Sequence, residues 1–350
     1  MRRKKMKKLV VLSLALLIVF ATLLTGCSGT AQPSAESEGP SASAEETAAE
    51  KEAESSAAAE TGEKRTIGTV VLDGTNPHCT LFEEGFRSIV EDKYGDEAIV
   101  LDAVGDPETL INCISDLMSQ QVDGIVLEAC DDEAPIAILK EVKAMGIPVA
   151  AADMYLQTTE DEGLVLSQTI SQNYEAGVAV AEDLIERAGG EEMNVCIMEM
   201  KQNSSGMMRI DGFVDTIAGH DNIKILEQSQ PSEDSVEAKL ELAEIWVQKY
   251  DNIDAIFAYH DVAALAAVQA LKAANMLDGV LVYGVDGSPD AMTSIKNGEM
   301  TGTSKQQPDQ MAISSAEDVY TVLNGGTIDH EWEVYIPTIF VDASNVDEYL

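Results

Sequence analysis

A chain of 350 residues with 45% hydrophobic side chains carries enough apolar material for one large or two ordinary domains, each with a sizeable core. Its 22 basic residues stand against 62 acidic ones, a formal charge of −40; six of the basic residues lie in the first eight positions, and without them the charge is near −46. A field of that sign repels phosphate backbones, which argues against nucleic acid as a partner and suits a soluble, monomeric protein.

The amino-terminal stretch reads as an address. Arg2, Arg3, Lys4, Lys5, Lys7 and Lys8 form a basic head, 9–24 is almost wholly apolar, and Leu24-Thr25-Gly26-Cys27 follows. The apolar run is shorter than a bilayer-crossing helix needs, so 1–26 is expected to be an export signal. Leu24-Thr25-Gly26-Cys27 resembles the bacterial lipobox, which implies that Cys27 is lipidated and becomes the mature amino terminus, held at the outer face of the cell membrane. Residues 27–65 are mostly Ser, Ala, Glu, Gly and Pro, with too little apolar surface to offset ordering entropy, and read as an acidic, disordered tether.

From Thr66 the texture becomes alternating strand and helix. Strands are expected at 67–72, 98–101, 124–127 and 149–152, separated by helices at 81–91, 107–119 and 131–145, with Asp153 closing the last strand. A second series begins with 164–166, continues through Ser171-Gln172-Asn173-Tyr174 into a helix ending at Arg187, and places strands at 195–198 and 223–225 and helices at 207–217 and 236–250. Then comes the clearest unit of the chain: the apolar run 255–259 ends in His260 and Asp261, an Ala-rich helix spans 262–275, and 280–283 ends in Gly284-Val285-Asp286-Gly287. Buried-type runs one helix length apart read as β-α-β with parallel strands, and ligands of such sheets sit outside the strands' carboxyl ends. The remaining segments, 291–296, 301–304, 308–323 and 332–340, are too few for a third domain, so the chain is expected to cross between two α/β lobes more than once.

Chemical motifs are sparse. Cys79, Cys113, Cys130 and Cys196 are widely spaced with no CxxC; Cys113 and Cys196 lie in apolar periodic runs as core thiols, whereas Cys79 and Cys130 flank polar strand ends. GxGxxG, Walker, GxSxG and EF-hand patterns are missing, so no cofactor is expected. His78 and His260 with Asp153 offer ligating groups but lack HxH or HExxH spacing, and no metal site is expected. Cys79 beside His78 or His260 has no recognisable orienting group or oxyanion site, so the chain is not expected to be an enzyme.

Taken in order, Thr75-Asn76-Pro77, Gly146-Ile147-Pro148-Val149 leading to Asp153, Arg209-Ile210-Asp211-Gly212-Phe213, Ala258-Tyr259-His260-Asp261, Gly284-Val285-Asp286-Gly287 and Gln306-Gln307-Pro308-Asp309-Gln310 resemble the type I periplasmic sugar-binding proteins, in pattern the ribose-binding branch. The resemblance implies two doubly wound parallel-sheet lobes with an interlobe cleft and three crossover hinges, near 168–173, 304–306 and 330–332. The first lobe would hold 66–168 plus 306–331, the second 172–304 plus 333–350. It further implies a small polar solute, sugar-like, delivered to an ABC transporter permease; a sensory protein presenting its solute to a membrane receptor would use the same cleft. The same fold serves LacI-type repressors, but there a DNA-binding helix pair stands where this chain has an export signal.

Carried over position by position, the ligand-binding residues would be His78, Cys79, Asp153, Met154, Met207, Asp234, His260, Asp286 and Gln306. Carboxylates would accept hydroxyl hydrogen bonds, and Gln and His would donate and accept. Met154 and Met207 stand where the ribose branch usually has arginines, and Asp234 where it often has an aromatic. Three acids without an aligned cation imply a solute that brings donors of its own, an amine-bearing polyol or nucleoside rather than a plain monosaccharide. The alternative is that Asp234 faces solvent.

Overall fold

The computed structural model describes residues 64–350, so the expected export signal, Cys27 and nearly all of the expected tether lie outside the described residues. The described chain builds two six-stranded sheets. The first contains β1 (Thr66–Val71), β2 (Glu97–Asp102), β3 (Gly124–Glu128), β4 (Val149–Ala152), β5 (Gln168–Ser171) and β11 (Glu333–Ile336), in the order β2-β1-β3-β4-β5-β11 and parallel throughout. The second contains β6 (Met193–Met198), β7 (Ile223–Ser229), β8 (Ala255–Ala258), β9 (Leu281–Asp286), β10 (Gly302–Lys305) and β12 (Ile339–Asp342), in the order β7-β6-β8-β9-β10-β12, parallel except for β12. Within each sheet the first five strands follow the same order, 2-1-3-4-5, so both reverse direction beside their first strand. That switch point is where an open α/β sheet offers a crevice.

Strand sequences are apolar on both faces because helices cover both. In the first sheet Ile125, Leu127, Val149 and Ala151 pack against Leu110, Ile114 and Leu117 of α2 (Pro107–Ser119) and Leu139 and Val142 of α3 (Ile136–Met145). The alternate residues Val126, Ala150 and Ala152 pack on the other face against Phe82 and Phe86 of α1 (Pro77–Arg87) and Met311, Ala316 and Val319 of α9 (Pro308–Leu323). The period of two along each strand thus divides one continuous apolar run between two cores. The second sheet is enclosed by α4 (Asn173–Ala188), α5 (Ser204–Ile217), α6 (Val236–Lys249), α7 (Asp261–Ala273) and α8 (Pro289–Lys296) around Trp246, Phe257 and Tyr283.

Helices α4 and α5 meet backbone to backbone. A Cβ on Gly177 would collide with the Arg209 carbonyl and one on Gly212 with the Tyr174 carbonyl, so only glycine permits this approach. The close packing sets Arg209 beside Asn173 at the start of α4.

Several boundaries differ from expectation for local reasons. The first helix starts at Pro77, not 81, because the Asn76 side chain accepts the His78 N–H as a cap and proline fits the first turn. Asp131 accepts from the amides of Glu133 and Ala134 and forms a turn, which delays α3 to Ile136. Leu164 and Val165 are buried, but the strand is Gln168–Ser171. The segment 332–340 is two strands split at Pro337. Since Glu333–Ile336 pairs with β5, it belongs to the first sheet rather than the second lobe, and the third crossing falls at Pro337 and Thr338, not 330–332.

Candidate functional site

All three crossings depart from or enter carboxyl edges. Strand β5 leaves the first sheet for α4, β10 leaves the second for α9, and β11 leaves the first to become β12, whose Ile339 pairs with Lys305 at the end of β10. The carboxyl edges of the two sheets therefore adjoin the same connections, and the candidate residues divide between these edges.

At the first edge stand His78, in the first turn of α1, Glu128, the last residue of β3, and Asp153, just past β4. His78 Nε2 lies 3.4 Å from Glu128 Oε1 and 3.5 Å from Asp153 Oδ1, and it is shielded from solvent with no hydrogen-bond partner. Glu128 is fully buried; its Oε2 accepts the Leu72 amide at 3.1 Å and its Oε1 the Cys79 thiol at 3.5 Å. Burial raises the Glu128 carboxyl to about 7, opposed by His78 and reinforced by Asp153. Cys79 is 2% exposed, and burial together with Glu128 pushes its thiol far up, which removes it as a nucleophile. Met154 is half-buried against the core on the α2 and α3 face.

At the second edge Asp286 ends β9 and His260 immediately precedes α7. Arg209, only 6% exposed, donates from Nη1 to Asp286 Oδ1 at 3.1 Å and to the Tyr259 carbonyl at 3.0 Å, and from Nε to Asn173 Oδ1 at 2.9 Å. Gln306 Nε2 donates to the same Asp286 oxygen at 2.8 Å, while its Oε1 accepts from Ser171 Oγ at 2.7 Å. Asp286 Oδ2 accepts no hydrogen bond among the described residues. His260 accepts the Ala263 amide on Nδ1, which caps α7 and places the ring proton of the neutral form on Nε2. Burial lowers its basicity against the opposing pull of Asp286.

Asp234 is exposed, yet it is not free. Tyr259 donates its hydroxyl at 2.7 Å and the buried Lys239 forms an ion pair with it. Burial alone would raise the Asp234 carboxyl, but the bonds from Lys239 and Tyr259 outweigh it and hold the group below its ordinary range. Met207, half-buried, lies two residues before Arg209 on α5. Among the described residues no hydrogen bond or ion pair joins His78, Cys79 or Asp153 to Asp234, His260 or Asp286.

The structure corrects one premise drawn from the sequence, that three acids lack an aligned cation. Arg209 serves Asp286 and Lys239 serves Asp234; only Asp153 has no lysine or arginine beside it, the nearest basic side chain being His78. Glu128, Arg209, Asn173 and Lys239 were not among the expected site residues. Backbone strain marks the two central acids: Asp153 has φ 66° and Asp286 φ 129°, both in a region that side chains other than glycine rarely occupy. They occupy equivalent places, at the ends of the fourth strand of each 2-1-3-4-5 series.

Residues 67–327 match the family described as periplasmic binding protein domain. The chain belongs to that family. It is similar to the ribose import binding protein of Salmonella typhimurium, 29% identical over 272 residues, covering 77% of this chain and 89% of the relative. The D-apiose import binding protein of Actinobacillus succinogenes is 25% identical over 280 residues, 80% of this chain and 88% of its own length. Among solved structures, an ABC transporter solute-binding protein of Actinobacillus succinogenes with bound D-allose superposes with a TM-score of 0.74 at 25% identity, covering 82% of this chain and all of that one. A Bacillus halodurans solute-binding protein with bound myo-inositol, at 24% identity and a TM-score of 0.71, shares the fold. The two-lobe type I architecture expected from the sequence is thereby shown, and the family's relatives are sugar-binding components of ABC transporters rather than enzymes.

Proposed function

We propose that this chain captures a sugar or closely related polyol between its two sheets and presents it to the permease of an ABC importer from the outer face of the cell membrane, where lipid on Cys27 would hold it. One observation carries the reading: an unbroken polar chain, Arg209 to Asp286 to Gln306 to Ser171, runs from the second sheet through a crossing to the last residue of β5 in the first. Asp286 Oδ1 is occupied by that chain, so its other oxygen is the one available to a solute hydroxyl. A hydroxyl drawn to Asp286 pulls on a residue bonded directly to Gln306 at one crossing and, through Gln306, to Ser171 at a second. Solute that also reaches Asp153 and His78 would favour the closed arrangement in proportion to its extra contacts there.

The cations at Asp234 and Asp286 favour plain hydroxyl-bearing solutes over an amine-bearing one, because those carboxylates are already compensated. Calorimetry with ribose, D-allose, D-apiose and myo-inositol tests the proposal. At least one should bind, and Asp286→Asn should abolish that binding while leaving the circular dichroism spectrum unchanged. Undiminished affinity in Asp286→Asn would remove the proposed cleft. Mass spectrometry of the membrane-extracted protein showing diacylglyceryl on Cys27 checks the anchor; a mature chain released without lipid would refute it.

A further inference from the structure

We propose that His78, Glu128 and Asp153 form a binding site for a divalent first-row transition metal at the carboxyl edge of the first sheet. Their nearest ligating atoms, one imidazole nitrogen and two carboxylate oxygens, all lie within 4.8 Å of one another. His78 Nε2 is 3.4 Å from one carboxylate and 3.5 Å from the other. Metal–donor bonds of about 2.0–2.1 Å at the tetrahedral angle separate neighbouring donors by about 3.4 Å, which is the spacing from the imidazole nitrogen to each carboxylate, while the two carboxylate oxygens lie within 4.8 Å of each other. A hydrogen bond would be shorter, about 2.7–2.9 Å for a charged pair.

The same molecule provides the contrast. His330 Nε2 sits 2.8 Å from Asp318 Oδ1, an ordinary hydrogen-bonded pair on a more exposed part of the first lobe. His78 does not close on either of its carboxylates, and its nitrogen remains buried and unpartnered between them. A buried nitrogen without a partner is costly, and a metal satisfies it together with both acids. Glu128 is held ready: its Oε2 is fixed by the Leu72 amide, leaving Oε1 toward the histidine. The imidazole argues against calcium and magnesium, which prefer oxygen donors, and the N/O set suits zinc. Three protein ligands leave a fourth position for water or a solute oxygen. His78 and Asp153 are also the solute contacts proposed for the first sheet, so the site deepens that reading by placing a metal beside the solute.

The test is zinc titration of the chelator-treated full-length protein by calorimetry, with cobalt(II) absorption as a second readout of coordination. One zinc per chain is expected, with at least about tenfold weaker binding in His78→Ala and in Asp153→Asn, and wild-type binding in His330→Ala. The cobalt complex should show the intense visible bands of four-coordination, lost in both site variants. Circular dichroism of each variant separates lost ligation from lost fold, and Asp153→Asn carries the test if His78→Ala does not fold. No saturable binding, or binding that survives both substitutions, overturns the site. Sugar binding measured on the same preparations separates this failure from failure of the solute-binding reading.

Discussion

Replacing Arg209 with Met tests whether the second edge is organised around a buried charge. The methionine keeps most of the aliphatic stem but leaves the Asp286 carboxylate with Gln306 as its only hydrogen-bond donor among the described residues. Removing one partner of a fully buried pair costs about 3–5 kcal/mol. The Asp286 side chain is 29% exposed, which reduces this to about 2–3 kcal/mol. The Tyr259 carbonyl and the Asn173 amide oxygen also lose their donor, adding about 1 kcal/mol. The total of about 3–4 kcal/mol corresponds to a fall in Tm of about 6–16 °C for a domain of this size. Adding Asp286→Asn removes the uncompensated charge and should restore roughly half of the loss. Urea denaturation followed by far-ultraviolet circular dichroism measures both. A single variant costing under about 1 kcal/mol, or a double variant as unstable as the sum of the two singles, would refute the reasoning.

Asp261, fully buried where it accepts from Ser288 N and Thr303 Oγ1, is raised to about 7 by burial and by Asp286, from an ordinary value of 3.8. Its stabilising contribution is complete below about pH 3.8 and is lost as pH rises toward 7, a few kcal/mol at most. Asp261→Asn should therefore gain stability relative to wild type between pH 5 and pH 8; a difference independent of pH would contradict this. Gly212→Ala should cost at least about 2 kcal/mol by forcing α4 and α5 apart, whereas Gly219→Ala, with open space around it, should be near neutral. Equal melting temperatures for the two alanine variants would show that the helices do not depend on that approach.

Strand ends were the most legible features of the sequence, because an apolar run that stops at an acid and a turn residue has few alternatives to a buried parallel strand. Asp153 and Asp286 were found in this way. Glu128 was missed because the apolar run ends at Leu127, whereas the ladder continues one residue further and pairs Glu128 with Ala152. Glu128 stops an apolar run as the two aspartates do, but Ala129 and Cys130 after it give no turn signal, and the resemblance carried no site residue to this position. Arg209 was missed for a different reason. The resemblance directed attention to Met207, but the α4 contact turns the residue two positions on, on a different face of α5, toward Asp286. The third crossing was misplaced because β11 and β12 lie so close in sequence that they read as one strand, and only pairing partners in different sheets separate them. Contacts between distant segments decided each of these points.

Solute is expected to join the two sheets by contacting both carboxyl edges, so that the lobes close. Small-angle X-ray scattering with and without a saturating sugar identified by calorimetry tests this directly. A smaller radius of gyration is predicted on binding, and its loss in Asp153→Asn as well as in Asp286→Asn, since the two acids lie on different sheets. A radius unchanged by saturating solute would contradict the claim.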